Sequence, residues 1–206
     1  MFTVYGYPNT RSLRVVWALE ELGEPYEYVK VDLFKGEGRR PPYLSVNPGG
    51  KVPTLVEGGL VLTESGAILT LLGERFAESG LLPGPDQPDA RAACHQWSYF
   101  ALSELEQPLW TIAKHRGVLP KNLRLPGIEG TARWEFAVAA KVLERQVRGR
   151  EFVAGASFTM ADVLIAHTLR WARSAGIDFG HESLEDYANR MLSRPACARA
   201  QAREAA

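Results

Sequence analysis

Residues 1–31 read Met1-Phe2-Thr3-Val4-Tyr5-Gly6-Tyr7-Pro8-Asn9-Thr10-Arg11-Ser12-Leu13-Arg14-Val15-Val16-Trp17-Ala18-Leu19-Glu20-Glu21-Leu22-Gly23-Glu24-Pro25-Tyr26-Glu27-Tyr28-Val29-Lys30-Val31, and they decide the fold. Phe2 to Tyr5 is β-branched and aromatic, which predicts a strand. Gly6 and Pro8 break it. From residue 11 the period changes. Val15, Ala18, Leu19 and Leu22 fall at i, i+3, i+4 and i+7, one face of a helix that Gly23 ends. Tyr26 to Val31 alternates as a second strand. A strand–helix–strand unit of this length predicts a parallel, right-handed crossover.

Beyond it the pattern closes a small sheet. Residues 34–50 are rich in Gly, Pro and basic residues and read as loop with one short helix. Residues 52–56 form a third strand, Gly58-Gly59 a tight turn, and residues 60–62 the returning strand of a hairpin. A helix follows over 64–76. The order β-α-β, loop, β-β-α matches a thioredoxin-like sheet. Gly80, Pro83, Gly84, Pro85 and Pro88 then mark a linker over 77–88.

After the linker only helical patterns occur. Asp89 is placed to cap a long helix to about His115, with Trp97, Phe100, Ala101 and Leu105 inward and Pro108 as a kink. Residues 117–130 read as a Gly/Pro loop. A helix over 131–148 carries Trp134, Val138 and Val142 on one stripe. Thr159-Met160-Ala161-Asp162 resembles a capping box that opens a helix to about Ser174. A last helix covers 184–193, and Pro195 interrupts it or starts another. The reading is an α/β domain at 1–76, a linker at 77–88 and an all-α domain at 89–206.

Composition narrows the function. The chain has 206 residues, 46% hydrophobic, with 24 Lys/Arg against 24 Asp/Glu. That balance predicts neither a nucleic-acid partner nor an anionic membrane partner. No apolar run reaches membrane-spanning length. Residues 1–5 show no signal-peptide pattern. Cys94 and Cys197 are the only cysteines and lack disulfide-framework or metal-ligand spacing, which fits a reducing, cytoplasmic compartment and no metal.

Two motifs carry chemistry. In Gly50-Lys51-Val52-Pro53-Thr54-Leu55, a proline opens a strand and cannot donate a ladder hydrogen bond. If the Val52–Pro53 bond is cis, Val52 offers its N–H and C=O to an extended peptide as an added strand would. The alternative is an ordinary trans proline at a strand edge. In Glu64-Ser65-Gly66-Ala67-Ile68, Ser65 starts a helix, where N–H groups and the dipole favour a carboxylate, and Glu64 can meet an ammonium. The alternative is a plain helix cap. One hairpin separates the motifs. A γ-glutamyl head at Glu64 and Ser65, with a cysteinyl backbone at Val52, describes one extended tripeptide.

On these residues the chain resembles the cytosolic glutathione transferase family. The resemblance rests on Tyr-Gly-Tyr-Pro at 5–8, the run at 11–23, Asn-Pro-Gly-Gly-Lys-Val-Pro-Thr-Leu at 47–55 and Glu-Ser-Gly-Ala-Ile at 64–68. Phe-Val-Ala-Gly-Ala-Ser-Phe-Thr-Met-Ala-Asp at 152–162 and Arg194-Pro195-Ala196 extend it. It covers essentially the whole chain, and the first helix and 105–109 look most like bacterial members and yeast Gtt-type transferases. It implies a thioredoxin-like domain, a helical domain, a homodimer and a detoxifying transferase. Glutathione is implied as co-substrate, with no permanent cofactor, at Lys51, Val52, Pro53, Glu64 and Ser65. Lys51 would meet its glycine carboxylate.

The implied reaction needs a thiolate. An unperturbed thiol of pKa about 8.5 is only about 3% ionised at pH 7. Lowering that by about two units takes roughly 2.7 kcal/mol of preferential thiolate stabilisation. One hydroxyl hydrogen bond and the positive end of the first helix supply interactions of that size. The loop after the first strand offers Thr10, reached by counting back four residues from Arg14, as serine-type members suggest. Asn9 and Ser12 are the alternatives, and Tyr5 and Tyr7 fit less well. No cysteine lies in this loop, which argues against the cysteine-type members. Tyr99, Trp110 and His115, with Arg116 nearby, are candidates for the wall of a small apolar electrophile's pocket. Two other functions stay open. One is a glutathione-dependent disulfide reductase or peroxidase using Asn9 and Thr10. The other is a non-catalytic glutathione-binding interaction module.

Overall fold

The computed structural model describes residues 1–206. The strands are β1 (Phe2–Gly6), β2 (Tyr26–Lys30), β3 (Thr54–Glu57) and β4 (Leu60–Thr63). The helices are α1 (Ser12–Leu22), α2 (Pro41–Leu44), α3 (Ser65–Arg75), α4 (Pro88–Phe100), α5 (Glu106–Ala113), α6 (Ile128–Val147), α7 (Met160–Ser174), α8 (Glu182–Leu192) and α9 (Pro195–Ala205). Contacts divide the chain into two units, residues 1–84 with 193–206, and residues 85–192.

In the first unit the sheet order is β2-β1-β3-β4. β1 runs parallel to β2 with Phe2 opposite Tyr26, and antiparallel to β3 with Tyr5 opposite Thr54. β3 and β4 form the hairpin, Glu57 opposite Leu60, across Gly58-Gly59. Gly58 has φ +55°, a region where glycine carries no steric cost. The crossover from β1 through α1 to β2 is therefore the parallel unit that residues 1–31 predict.

Period-two alternation on β1 sends Phe2, Val4 and Gly6 into the core. Tyr5 and Tyr7 lie on the other side, packed with Leu33 and Val46 around Val31, Tyr43 and Val52. α1 is buried over Ser12 to Leu19, more completely than a one-faced helix. The cause is that it packs on β1, α3 and α9 together. Each fully buried Val, Leu or Trp there contributes roughly 1.5–3 kcal/mol of transfer free energy.

α9 belongs to this unit, whereas the sequence reading placed residues 193–206 in the helical domain. Two ionic anchors hold it. Arg194 makes a two-pronged bond to Glu21, at 2.6 and 2.9 Å, and Arg199 meets Glu20 at 2.8 Å. Ala196 and Ala200, small and four residues apart, are buried on the same helix, which packs against α1. Within 77–88, Leu81 and Leu82 are buried. A Cβ at Gly73 would lie 2.5 Å from the Leu82 Cβ, so glycine lets α3 and this segment close up.

In the second unit the long helix is not uniform. Between α4 and α5, residues 101–105 widen to a π-turn, and Glu106 N–H bonds back five residues to Ala101. The extra residue precedes Pro108, which has no N–H to give and whose ring crowds the carbonyl four residues back. Residues 114–118 form a second π-turn. Three expectations are corrected. Gln87 is the N-cap position and Pro88 opens α4, so Asp89 sits in the first turn instead of capping. α6 begins at Ile128, inside the stretch read as loop. Its core face is Ala132, Phe136, Ala139, Ala140, Leu143 and Val147, while Trp134, Val138 and Val142 are 68%, 46% and 44% exposed.

The capping box at Thr159 is present. Asp162, fully buried, accepts the Thr159 N–H at 2.9 Å, the Val153 N–H at 2.8 Å and the Tyr187 hydroxyl at 2.7 Å. Burial pushes the Asp162 carboxyl up, and these donors oppose it. Neither cysteine forms a disulfide, both are buried, and burial pushes the Cys94 thiol up. No helix is long and apolar enough to cross a membrane.

Candidate functional site

Three short segments of the first unit meet at the carboxyl end of β1. The first is the loop from Tyr7 to Ser12. Gly6 makes it possible, since a Cβ there would lie 2.6 Å from the Tyr28 ring and 2.8 Å from the Ser12 Cβ. Asn9 is exposed and has φ +60°, a left-handed conformation that asparagine tolerates better than most residues. Thr10 is half-buried and Ser12 is fully buried.

Hydroxyl bonding locks this loop. The Thr10 Oγ1 lies 2.7 Å from the Tyr7 carbonyl and 2.9 Å from the Ser12 Oγ, and accepts the Ser12 N–H at 3.2 Å. The Ser12 Oγ accepts the Tyr7 N–H at 3.1 Å. Ser12 also lies 2.9 Å from the Tyr7 carbonyl, and donates to Oε1 of Glu204 at 2.5 Å. The hydroxyl of Ser12 thus points inward, toward α9.

The second segment is 51–53. The Val52–Pro53 bond is cis, the condition on which the sequence reading rested. β3 begins only at Thr54, so the N–H and C=O of Val52 lie outside the ladder. A polar clamp holds the segment. The Lys51 carbonyl accepts the Tyr43 hydroxyl at 2.6 Å and the Asn47 amide at 2.8 Å. Both groups also meet the Thr54 hydroxyl, at 2.9 and 3.1 Å. Burial pushes the Tyr43 hydroxyl up, so it stays a proton donor. The Lys51 side chain is exposed.

The third segment is 64–65. Glu64 is exposed and has φ +66°, and Ser65 starts α3 with 4% exposure. The Ser65 Oγ accepts Nη1 of Arg14 at 3.2 Å. Arg14 is 0% exposed, in the first turn of α1. The three segments are linked. Tyr7 packs in the cluster around Val52, and Arg14 ties the start of α1 to the start of α3.

Tyr99, Trp110 and His115 all lie on the long helix of the second unit. Tyr99 is exposed and stacks on His95, with ring centroids 5.8 Å apart. Lys114 lies over the Trp110 ring at 6.0 Å. The Nδ1 of His115 accepts the Leu125 N–H at 3.0 Å, holding the following loop. Arg116 is paired with Glu129, whose carboxyl it and Arg133 hold down to about 2.

Four residues escaped the sequence reading: Arg14, Tyr43, Asn47 and Glu204. Arg14 carried a signal, as a charge inside an apolar run. Asn47 carried another, within Asn-Pro-Gly-Gly. Tyr43 and Glu204 carried none: the Tyr43 hydroxyl meets Lys51 and Thr54 only once the loop folds back on itself, and the Glu204 partner, Ser12, is 192 residues away.

A thioredoxin-like sheet with polar groups at the starts of two helices, followed by an all-helical unit, defines the two-domain architecture of glutathione transferases. The family model described as glutathione S-transferase, N-terminal domain, matches residues 1–74, and that for the C-terminal domain matches 131–195. The chain is 31% identical to glutathione S-transferase F10 of Arabidopsis thaliana, over 79% of this chain and 77% of that one. It is 29% identical to glutathione S-transferase GST-4.5 of Xanthomonas campestris, over 92% of each. A solved glutathione transferase from Methylococcus capsulatus aligns with a TM-score of 0.89 at 26% identity, over 100% of this chain and 99% of that one. A sphingomonad glutathione S-transferase complexed with glutathione aligns at 0.86 and 30%, over 98% of each. This chain belongs to the glutathione S-transferase family of enzymes.

Proposed function

We propose that this protein binds glutathione across the three segments and activates its thiol for attack on a small apolar electrophile. The γ-glutamyl carboxylate lies at the start of α3 against the Ser65 hydroxyl and N–H groups, and its ammonium meets Glu64. The cysteinyl backbone pairs with Val52, held by Pro53 and the clamp on Lys51. The Lys51 ammonium meets the glycine carboxylate. The observation that supports this reading is a pair of contacts, Tyr7 packed in the cluster around Val52 and Arg14 bonded to Ser65, which tie the loop at the start of α1 to the other two segments.

Thr10 is the activating residue in this proposal. Ser12 is fully buried and donates to Glu204, so its hydrogen is committed. Thr10 is closer to the surface, and its hydroxyl hydrogen can turn from the Tyr7 carbonyl to a sulfur. A hydroxyl donor stabilises the thiolate over the thiol, and the positive end of α1 adds to it. The thiolate sulfur then forms a bond to carbon as the leaving group departs with its electron pair.

Ser65→Ala is expected to weaken glutathione binding about tenfold, the loss of one hydrogen bond to a charged group. Calorimetric titration measures it, and an unchanged Kd would remove Ser65 from the site. Conjugation of a halonitrobenzene and reduction of hydroxyethyl disulfide, measured side by side, test the reaction. Reduction without conjugation would assign the disulfide reductase reading, and glutathione binding without either would favour a non-catalytic module.

A homodimer in the cytoplasm is part of the same proposal, supported by family membership and by two buried cysteines that form no disulfide. Sedimentation of the full chain measures its mass in solution, and a monomer at micromolar concentration would contradict the dimer.

A further inference from the structure

Ala196, Ala200 and Glu204 recur every four residues on α9, and all three are buried, at 4%, 0% and 3% exposure. Two of them are the small residues that let α9 pack on α1. The third is a carboxylate where an alanine would fit the pattern. Burying a carboxylate costs several kcal/mol unless partners compensate. The position of Glu204 is therefore informative. Its Oε1 accepts the Ser12 hydroxyl at 2.5 Å and faces the Tyr28 hydroxyl at 3.5 Å. Ser12 in turn lies 2.9 Å from the Thr10 Oγ1. Each hydroxyl has one hydrogen and the Tyr7 carbonyl as a second acceptor. With the Thr10 hydrogen turned to Ser12 and the Ser12 hydrogen on Glu204, the three groups form an unbroken hydroxyl chain from a buried carboxylate to the loop proposed to hold the thiol.

We propose that Glu204 takes up the proton of the glutathione thiol through Ser12 and Thr10. The inference rests on the reading that Thr10 meets the sulfur. The thiol S–H bond breaks and its proton passes to the Thr10 Oγ1. The Thr10 hydroxyl proton passes to the Ser12 Oγ, and the Ser12 proton passes to Oε1 of Glu204. The electron pair stays on sulfur. In the product state every hydrogen bond is reversed. Glu204 donates to Ser12, Ser12 to Thr10, and Thr10 to the thiolate. The relay therefore ends in the orientation that stabilises the nucleophile, and the negative charge leaves the buried carboxylate. Once the thioether product departs, Glu204 releases its proton to solvent and resets.

The titratable groups facing Glu204 fit this role. Burial, with the Glu204 charge, pushes the Tyr28 hydroxyl up. Burial, with Glu20, does the same at Tyr26, so both stay neutral at physiological pH. The Arg203 guanidinium lies 5.7 Å above the Tyr26 ring. Glu204 does not touch the tripeptide and is a positioning residue acting through two hydroxyls.

The test counts protons. The full chain is titrated with glutathione at pH 7 in buffers of different ionisation enthalpy, and with S-methylglutathione as the reference that has no thiol proton. Thiolate is read from absorbance near 240 nm. The wild-type protein is expected to form thiolate while the thiol contributes close to zero protons to solvent, because Glu204 keeps the proton. Glu204→Gln is expected to release about one proton per thiolate formed, and to lower kcat for conjugation several-fold with the glutathione KM unchanged. Ser12→Ala, which cuts the chain but leaves the carboxylate, is expected to do the same. One proton released per thiolate by the wild type overturns the relay without reference to any variant. Thr10→Val separates the two readings. If it leaves thiolate unchanged, the assignment of Thr10 fails. If it abolishes thiolate while Glu204→Gln and Ser12→Ala keep the wild-type proton count, only the relay fails.

Discussion

Asp162→Ala is expected to lower the unfolding free energy by about 3–5 kcal/mol, the range for breaking a buried hydrogen-bonded charge network. The substitution leaves the Val153 N–H, the Thr159 N–H and the Tyr187 hydroxyl without their acceptor, all in a buried setting. Each such orphan costs about 1–3 kcal/mol. The start of α7 and the turn at 153–159 loosen together, because one carboxylate caps the helix and holds the turn. Asp162→Asn keeps one carbonyl acceptor and is expected to fall between wild type and alanine. Urea unfolding followed by far-ultraviolet dichroism measures the series. A loss under about 1 kcal/mol for alanine would show that the network does not support the helix.

Thr10→Val is expected to lower kcat for conjugation about a hundredfold while changing the glutathione Kd less than about threefold. Valine matches threonine in shape but has no hydroxyl, so packing at the loop persists and the donor is lost. Ground-state binding rests on Val52, Glu64 and Ser65, which the substitution does not touch. An effect on kcat alone marks an interaction that matters to the reacting sulfur. Equal losses in affinity and turnover would instead show that Thr10 shapes the loop. Asn9→Ala is the natural companion, since Asn9 is the exposed polar group beside Thr10 in the loop. A hundredfold loss there, with Thr10→Val near wild type, would transfer the role to Asn9.

Much of this architecture is written locally. The switch from period two to period 3.6 near residue 11, Gly23 as a stop, the Gly58-Gly59 turn and the Thr159 capping box depend on near neighbours, and the structure has each of them. What escaped depends on distance. Trp134, Val138 and Val142 form a real stripe, but a stripe alone does not say which side the core lies on, and the alanines of α6 face it instead. Residues 193–206 follow the helical unit in the chain, and only long-range contacts, among them the Glu20 and Glu21 pairs, reveal that α9 lies on α1. Ser12 read as an alternative to Thr10 because its partner, Glu204, is 192 residues away and invisible locally. The turn at Val52–Pro53 and the helix start at Ser65 were legible, whereas the groups that Arg14 and Asn47 hold became visible only in the structure.

The most direct test of the account measures the ionisation of glutathione bound to the wild-type protein at pH 7. Difference absorbance near 240 nm, taken at saturating protein, reports the thiolate fraction. More than about half of the bound thiol is expected to be ionised, against about 3% for an unperturbed thiol. A bound thiol with the same few per cent of thiolate as the free one would contradict it.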